Sequence, residues 1–426
     1  MYRNKRALFG LVAALVLVMS ASVSIQAAEM WHYWLSGGEK EALDAFLDKA
    51  RELYPNVEFT ERGIPGSTSE MRRQLGAAFM ANDPPELYQS AIGYDMKSYV
   101  DAGRLEPIDD IWEAVNGDEI FSEGLQRMVK FDGHAYGIPL NTHVISHIFY
   151  NKHIFEKYDL DIPTTWDEFK EVSKTLRENG IEPFAAATSW TLTHFYAPLI
   201  TVLGPEGYLA LGNGELAFTD PKVREAFELY GDAFVSSYMF GWSGYGWAEA
   251  ANELLQGNAA MYLNGDWVVA YFEQAGWTPG EDFGFFPAPG TEDAIIIQVD
   301  ALAAPKNAKD TEGAKALMTV AGSIDGQSAF NKHKGSVAAN LAVPPEIYNP
   351  ILLETYNRIQ RVNEEGTILP NQLFMLPPSL YQELGRQVEM YALNPTDKVL
   401  DGVLNTLENM RQDLLKENAF VKWQDM

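Results

Sequence analysis

The sequence predicts an α/β protein of two lobes, each a mostly parallel sheet covered by helices. Three observations carry this. Strand-like and helix-like stretches alternate from the start, as in a sheet whose crossovers are helices. The 426 residues exceed what one hydrophobic core usually serves. No flexible linker divides the chain, so two lobes must exchange short ordered crossings, which make a hinge rather than a tether.

The elements follow in order. Met30-Trp31-His32-Tyr33-Trp34 reads as the end of a first strand. Ser36-Gly37-Gly38-Glu39 reads as a glycine turn with a capping box, the serine reaching forward and the glutamate back. Leu43, Phe46, Leu47, Ala50, Leu53 and Tyr54 then recur at helical spacing until Pro55 ends the helix. Residues 57–60 read as the next strand, and 69 to about 80 as a helix stopped by Asn82-Asp83-Pro84-Pro85. Residues 87–90 form a short third strand. Thr164-Thr165-Trp166-Asp167-Glu168 is a cap followed by acid, in a helix-rich middle. Ile295-Ile296-Ile297 reads as a buried strand, and from Pro344 the pattern is helical to the end. A strand feeding a glycine turn and a helix N-terminus is where open α/β sheets hold ligands, because N–H groups there face a crevice. Aromatics at that edge suit a ligand with flat apolar faces and polar edges, such as a sugar.

Composition narrows the setting. Arg3, Lys5 and Arg6, an uncharged apolar run from 7 to 19, and small residues leading to Ala27-Ala28 form the three-part pattern of an export signal. Residues 1–28 are therefore set apart from the fold, with the cut within a few positions of Ala28. That apolar run is short for a membrane span, and no later stretch is long enough, so the mature chain is not expected to enter a bilayer. There is no Cys, which excludes disulfides, thiolate metal sites, a Cys nucleophile and a lipidated cysteine. The periplasm is the expected location. Loss of Arg3, Lys5 and Arg6 takes the formal charge from −27 to about −30, which argues against nucleic acid and anionic membranes as partners.

Later motifs form an ordered series. Gly133-His134-Ala135-Tyr136-Gly137-Ile138-Pro139 is followed by Phe149-Tyr150-Asn151-Lys152 and Pro163-Thr164-Thr165-Trp166-Asp167-Glu168-Phe169. Gly257-Asn258-Ala259-Ala260-Met261 and Gly265-Asp266-Trp267 come after. The series resembles the extracellular sugar-binding proteins of ABC importers, the maltose-binding-like family. Within it, His32-Tyr33-Trp34 before the glycine turn, with Asn331-Lys332-His333-Lys334-Gly335-Ser336, looks like the branch that binds glucose and related small sugars. The resemblance runs from about residue 30 to 425. It implies the two-lobed type II periplasmic binding protein fold with a multi-segment hinge. The N-terminal lobe would hold 29–138 plus 292–340, and the C-terminal lobe 139–291 plus 341–426. It also implies a cleft that closes on a neutral mono- or small oligosaccharide and delivers it to the permease subunits of a transporter. No cofactor, no metal and no catalysis are expected, and a monomer is the default.

A sugar presents C–H faces that pack on rings and hydroxyls that need polar partners. A buried hydroxyl left unpaired costs about 1–3 kcal/mol, so the site must supply fixed hydrogen-bonding groups. Tyr33 and Trp34 match the two neighbouring aromatics of the branch and are read as stacking groups, against packing at a strand end. Glu39 either only caps its helix or also reaches sugar. Gln89 or Ser90 ends the third strand at the cleft edge, where the branch often has a lysine. His143, just after the crossover, offers an imidazole to a hydroxyl or is a buried structural histidine. Trp190 matches a cleft-lining position of the second lobe, and Asp266 with Trp267 sets a carboxylate beside a ring. Asp300, where a strand returns to the first lobe, and Lys334 match binding positions of the branch. Near residue 370 that branch tends to have a histidine, whereas this chain has Pro370-Asn371-Gln372, and Gln372 is read as a substitute amide. Trp242, Tyr245 and Trp247 either fringe the cleft or fill the lobe surface.

Two rival readings stay open beside this one. A receptor for a polyol, a compatible solute or a sugar acid would use the same fold. A glycoside hydrolase would recast Glu39, Asp266 and Asp300 as acid and nucleophile, but no activating constellation accompanies them.

Overall fold

Three larger sheets share the strands of the chain, and two crossings join them. The computed structural model describes residues 26–423 except Ser36 and Ser67. In the first sheet the order is Val57–Gly63, Gln26–His32, Leu87–Ser90, Ala301–Ala303, Gly137–Pro139. Its first three strands are parallel and its last two join antiparallel. The second sheet runs Phe283–Pro287, His147–Asn151, Ala259–Asn264, Glu182–Ala185, with one parallel pair. Both sheets are therefore mixed rather than mostly parallel. The strands that depart from the expectation return from distant segments and run against their neighbours.

The third sheet is the hinge. It orders Val337–Ala338, Asn141–Val144, Ala294–Gln298 and Thr367–Pro370. Asn141–Val144 lies between a strand of the first sheet and one of the second, and Ala294–Gln298 leads back into Ala301–Ala303. The two crossings pair side by side, Val144 opposite Ile297 and His143 opposite Gln298.

Local chemistry explains the covering helices. Gly38–Leu53 buries Ala42, Leu43, Phe46, Leu47 and Ala50 at helical spacing and packs on the helix Ile324–Lys334. That partner starts on a Ser323 cap and ends at Gly335, whose φ of 73° is one that a residue with a Cβ avoids. Thr165 and Glu168 form the reciprocal capping box of Trp166–Glu178. Ile295, Ile296 and Ile297 are buried in the hinge strand, as their branching suggests.

Two further expectations differ, and a third falls outside the described residues. The first strand begins at Gln26, and its Ala27 N–H donates to Asp310 at 2.7 Å while Ala28 is fully buried. Residues 26–28 thus belong to the fold, and the export pattern of 1–25 lies outside the described residues. The capping box read at Ser36 falls on an undescribed residue. Among the described residues Gly37 stands at the start of that helix, and Glu39 accepts from Lys334 at 3.0 Å. The C-terminal region is also not helical throughout, because Thr367–Pro370 inserts as a hinge strand parallel to Ala294–Gln298.

Candidate functional site

Strand ends from both lobes and the hinge deliver one connected set of side chains. The first sheet supplies Gln89 and the hinge crossings supply Asn141, His143 and Asp300. The second sheet supplies Asp266 and Trp267, just beyond Ala259–Asn264. Asp300 is the centre. Gln89 Nε2 donates to one carboxylate oxygen at 2.9 Å and Asn141 Nδ2 to the other at 3.0 Å. The Asn141 side-chain oxygen in turn accepts from the Asp300 backbone N–H at 2.9 Å, so the pair is locked reciprocally.

His143 joins this group to the second lobe. Its Nδ1 meets the Asp266 carboxylate, whose other oxygen accepts from the Val144 N–H at 3.1 Å. Its Nε2 faces Asn141 Nδ2 at 3.1 Å and lies 3.6 Å from Asp300. Burial disfavours the Asp300 carboxylate, but His143, the charge of Lys334 and the Asn141 amide outweigh it and hold the carboxyl well below its usual range.

Rings and one ion pair complete the walls. Trp267 is half-buried, edge-on to His143 with centroids 4.9 Å apart and tilted on Trp190 at 5.2 Å. The Lys334 ammonium lies 5.5 Å from the Trp267 ring centre and donates to Glu39 at 3.0 Å. Lys334 is thus paired with Glu39 within the protein, and the Asp300 carboxylate is met by amides.

Nine of the eleven expected residues join or border this set: Glu39, Gln89, His143, Trp190, Asp266, Trp267, Asp300 and Lys334 through side chains, and Tyr33 through its backbone. The Tyr33 N–H donates to the Gln89 side-chain oxygen at 2.9 Å, while its ring packs against the first-lobe core. Two do not. Trp34 is 1% exposed and packs on Phe330 at 4.9 Å, because the turn after the first strand rotates it into the core. Gln372 is buried beneath the helix Thr191–Gly212, donating to the Tyr208 carbonyl at 3.2 Å. Its neighbour Asn371 bonds Gln298 at 2.7 Å and the Tyr196 hydroxyl at 2.9 Å. Ser90, the alternative to Gln89, instead donates to the Ala91 carbonyl.

Asn141 escaped sequence reasoning. The signal was present, since it stands two residues before His143 and so shares its face of the strand. The aromatics Trp242, Tyr245 and Trp247 are half-buried, and Trp242 packs edge-on against Tyr238 at 5.2 Å. Thr188 donates its N–H to the Tyr245 carbonyl, and Trp247 packs edge-on against Tyr271 at 5.4 Å. Among the described residues no three His, Cys, Asp or Glu are grouped to hold a metal, and no helix is long and apolar enough to cross a membrane.

A family model for bacterial extracellular solute-binding proteins matches residues 36–328. The chain belongs to that family. This solute-binding protein is 32% identical over 409 residues to an uncharacterized ABC transporter extracellular-binding protein of Pyrococcus horikoshii, covering 94% of this chain and 90% of the relative. It is 29% identical over 365 residues to a probable sugar-binding periplasmic protein of Rhizobium meliloti, covering 84% and 86%. It also superposes, with a TM-score of 0.81 and 20% identity, on a bacterial solute receptor whose substrate preference is β-D-galactopyranose; 91% of this chain and 99% of that one are covered. The last likeness shows the shared two-lobed fold.

Proposed function

We propose that the protein captures a neutral mono- or small oligosaccharide between its lobes and hands it to the permease of an ABC transporter. One observation supports this above others: Gln89, Asn141, His143, Asp266 and Asp300 converge beside the Trp267 ring where the hinge and both lobes meet. Fixed amides and carboxylates suit hydroxyls, and a ring suits a C–H face. The relative of Rhizobium meliloti described as a probable sugar-binding periplasmic protein points the same way.

In this reading the lobes 29–138 plus 292–340 and 139–291 plus 341–426 rotate about the hinge sheet. The second lobe adds Asp266, Trp267 and Trp190 to a sugar first met by Gln89 and Asp300. The protein works as a monomer in the periplasm, performs no turnover, and binds neither nucleic acid nor membrane. A thermal-shift screen across D-glucose, D-galactose, D-xylose, maltose and xylobiose tests it, since a ligand bound only by the folded state raises the melting temperature. At least one sugar is expected to do so. Silence to all of them, with a response to a polyol or a sugar acid, would transfer the site to that ligand class.

A further inference from the structure

Three neighbouring segments of the hinge sheet change character at the same step. Ile145, Ile296 and Leu369 lie on one face and pack into the second-lobe core. Two residues away along each segment, the same face carries His143, Gln298 and Asn371 instead. Gln298 stands directly opposite His143. On its other side Ile297 pairs with Pro370, and the Asn371 N–H donates to the Ile297 carbonyl at 3.1 Å. Asp300 follows Gln298 by two residues and so keeps to that face. An apolar row is thus replaced by a polar one beside the Asp300 cluster.

The bonds of this row fix which way the Gln298 amide faces. The Leu373 N–H can only donate, and it donates to the Asn371 side-chain oxygen at 3.0 Å. The Tyr196 hydroxyl donates to the same oxygen at 2.9 Å, which fills its two acceptor positions. Asn371 Nδ2 is therefore the donor toward Gln298, whose side-chain oxygen accepts at 2.7 Å. The Gln298 Nε2 remains, and among the described residues it has no hydrogen-bond partner. A flipped Gln298 would set two NH2 groups against each other, so the free donor is built in. His143 and Asn371 are buried, whereas Gln298 between them is only half-buried and open to a ligand.

We propose that Gln298 is a further sugar-binding residue, its Nε2 donating to one ligand hydroxyl beside Asp300. Asn371 is its positioning residue and touches no ligand. This deepens the sugar reading above and rests on it. Calorimetry on the intact protein with D-glucose, D-galactose, D-xylose, maltose and xylobiose first finds the sugar bound most tightly. Gln298→Ala is expected to bind that sugar about tenfold more weakly, which one good hydrogen bond supplies. Monodeoxy forms of the same sugar then read the contact itself. Loss of one particular hydroxyl should cost the wild type about tenfold, yet cost Gln298→Ala less than about twofold. A Gln298 that only braced Asn371 would leave the same deoxy profile in both proteins. Should Gln298→Ala not fold, Gln298→Met takes its place in both measurements. Undiminished affinity in the variant, or an unchanged deoxy profile, would overturn the contact and leave the sugar reading standing. Failure of every sugar to bind the wild type would overturn both.

Discussion

Asp300 shows what a buried carboxylate needs in order to stay charged. Stripped of water, it is held by the Gln89 and Asn141 amides, with His143 and Lys334 nearby. Asp300→Ala would remove the acceptor and leave two buried amides facing nothing, so it is expected to weaken sugar binding about tenfold or more and to lower the melting temperature as well. Trp267→Ala should weaken binding similarly while costing less stability, because that ring is only half-buried. Calorimetry beside thermal melts separates the two. The depressed Asp300 carboxyl binds its proton more weakly folded than unfolded, so its stabilisation is present above about pH 4 and fades as pH falls further. His194 acts in a higher window. Burial pulls it down to about 4, and it bonds the Tyr238 hydroxyl at 2.7 Å and the Leu263 carbonyl at 3.1 Å. Below its unfolded value near pH 6.5 the unfolded chain gains a proton that the folded one refuses, so stability falls from there toward pH 4. His194→Gln should remove about 2–3 kcal/mol of that loss between pH 7 and 4.5, read by denaturant melts at the two pH values.

Elements were legible where the cue was local. The first strand is the case with a test. Its first residues carry the Ala27–Asp310 bond and the buried Ala28, against which Gly313 packs closely. A chain starting at Glu29 is therefore expected to melt several degrees below one starting at Gln26, with sugar affinity little changed. Equal melting would show that strand's beginning to be dispensable. The small residues of 26–28 read as a processing site because small side chains also suit a strand packed against a helix, and composition cannot separate the two. Thr165 and Glu168 sit within one turn of each other, so their box could be read directly. Glu39 also meets Lys334, a partner 295 residues away that no local rule could supply. Residue type and motif together led to the cluster at Asp266 and Trp267. Trp34 and Gln372 stand outside that cluster, where the direction of a turn decides between cleft and core. Asn141 was missed although its spacing from His143 gave it away.

At the scale of the molecule, charge outside the site is plentiful, while each charged group inside it has a partner in the protein. The chain carries a formal −27, but Lys334 answers Glu39, and Asp300 is satisfied by neutral amides. Binding of a neutral sugar should then be nearly indifferent to salt, changing by less than about twofold between 50 mM and 0.5 M sodium chloride. A sugar acid, repelled by this acidic chain, would instead bind more tightly as salt screens the repulsion, and calorimetry at the two concentrations distinguishes them. The hinge sheet offers a practical return. Because the chain contains no thiol, cysteines introduced on the outer flanks of the two lobes it joins would be its sole labelling points. Dyes attached to them would change separation each time the molecule engages its cargo, turning the labelled receptor into an optical gauge of sugar concentration.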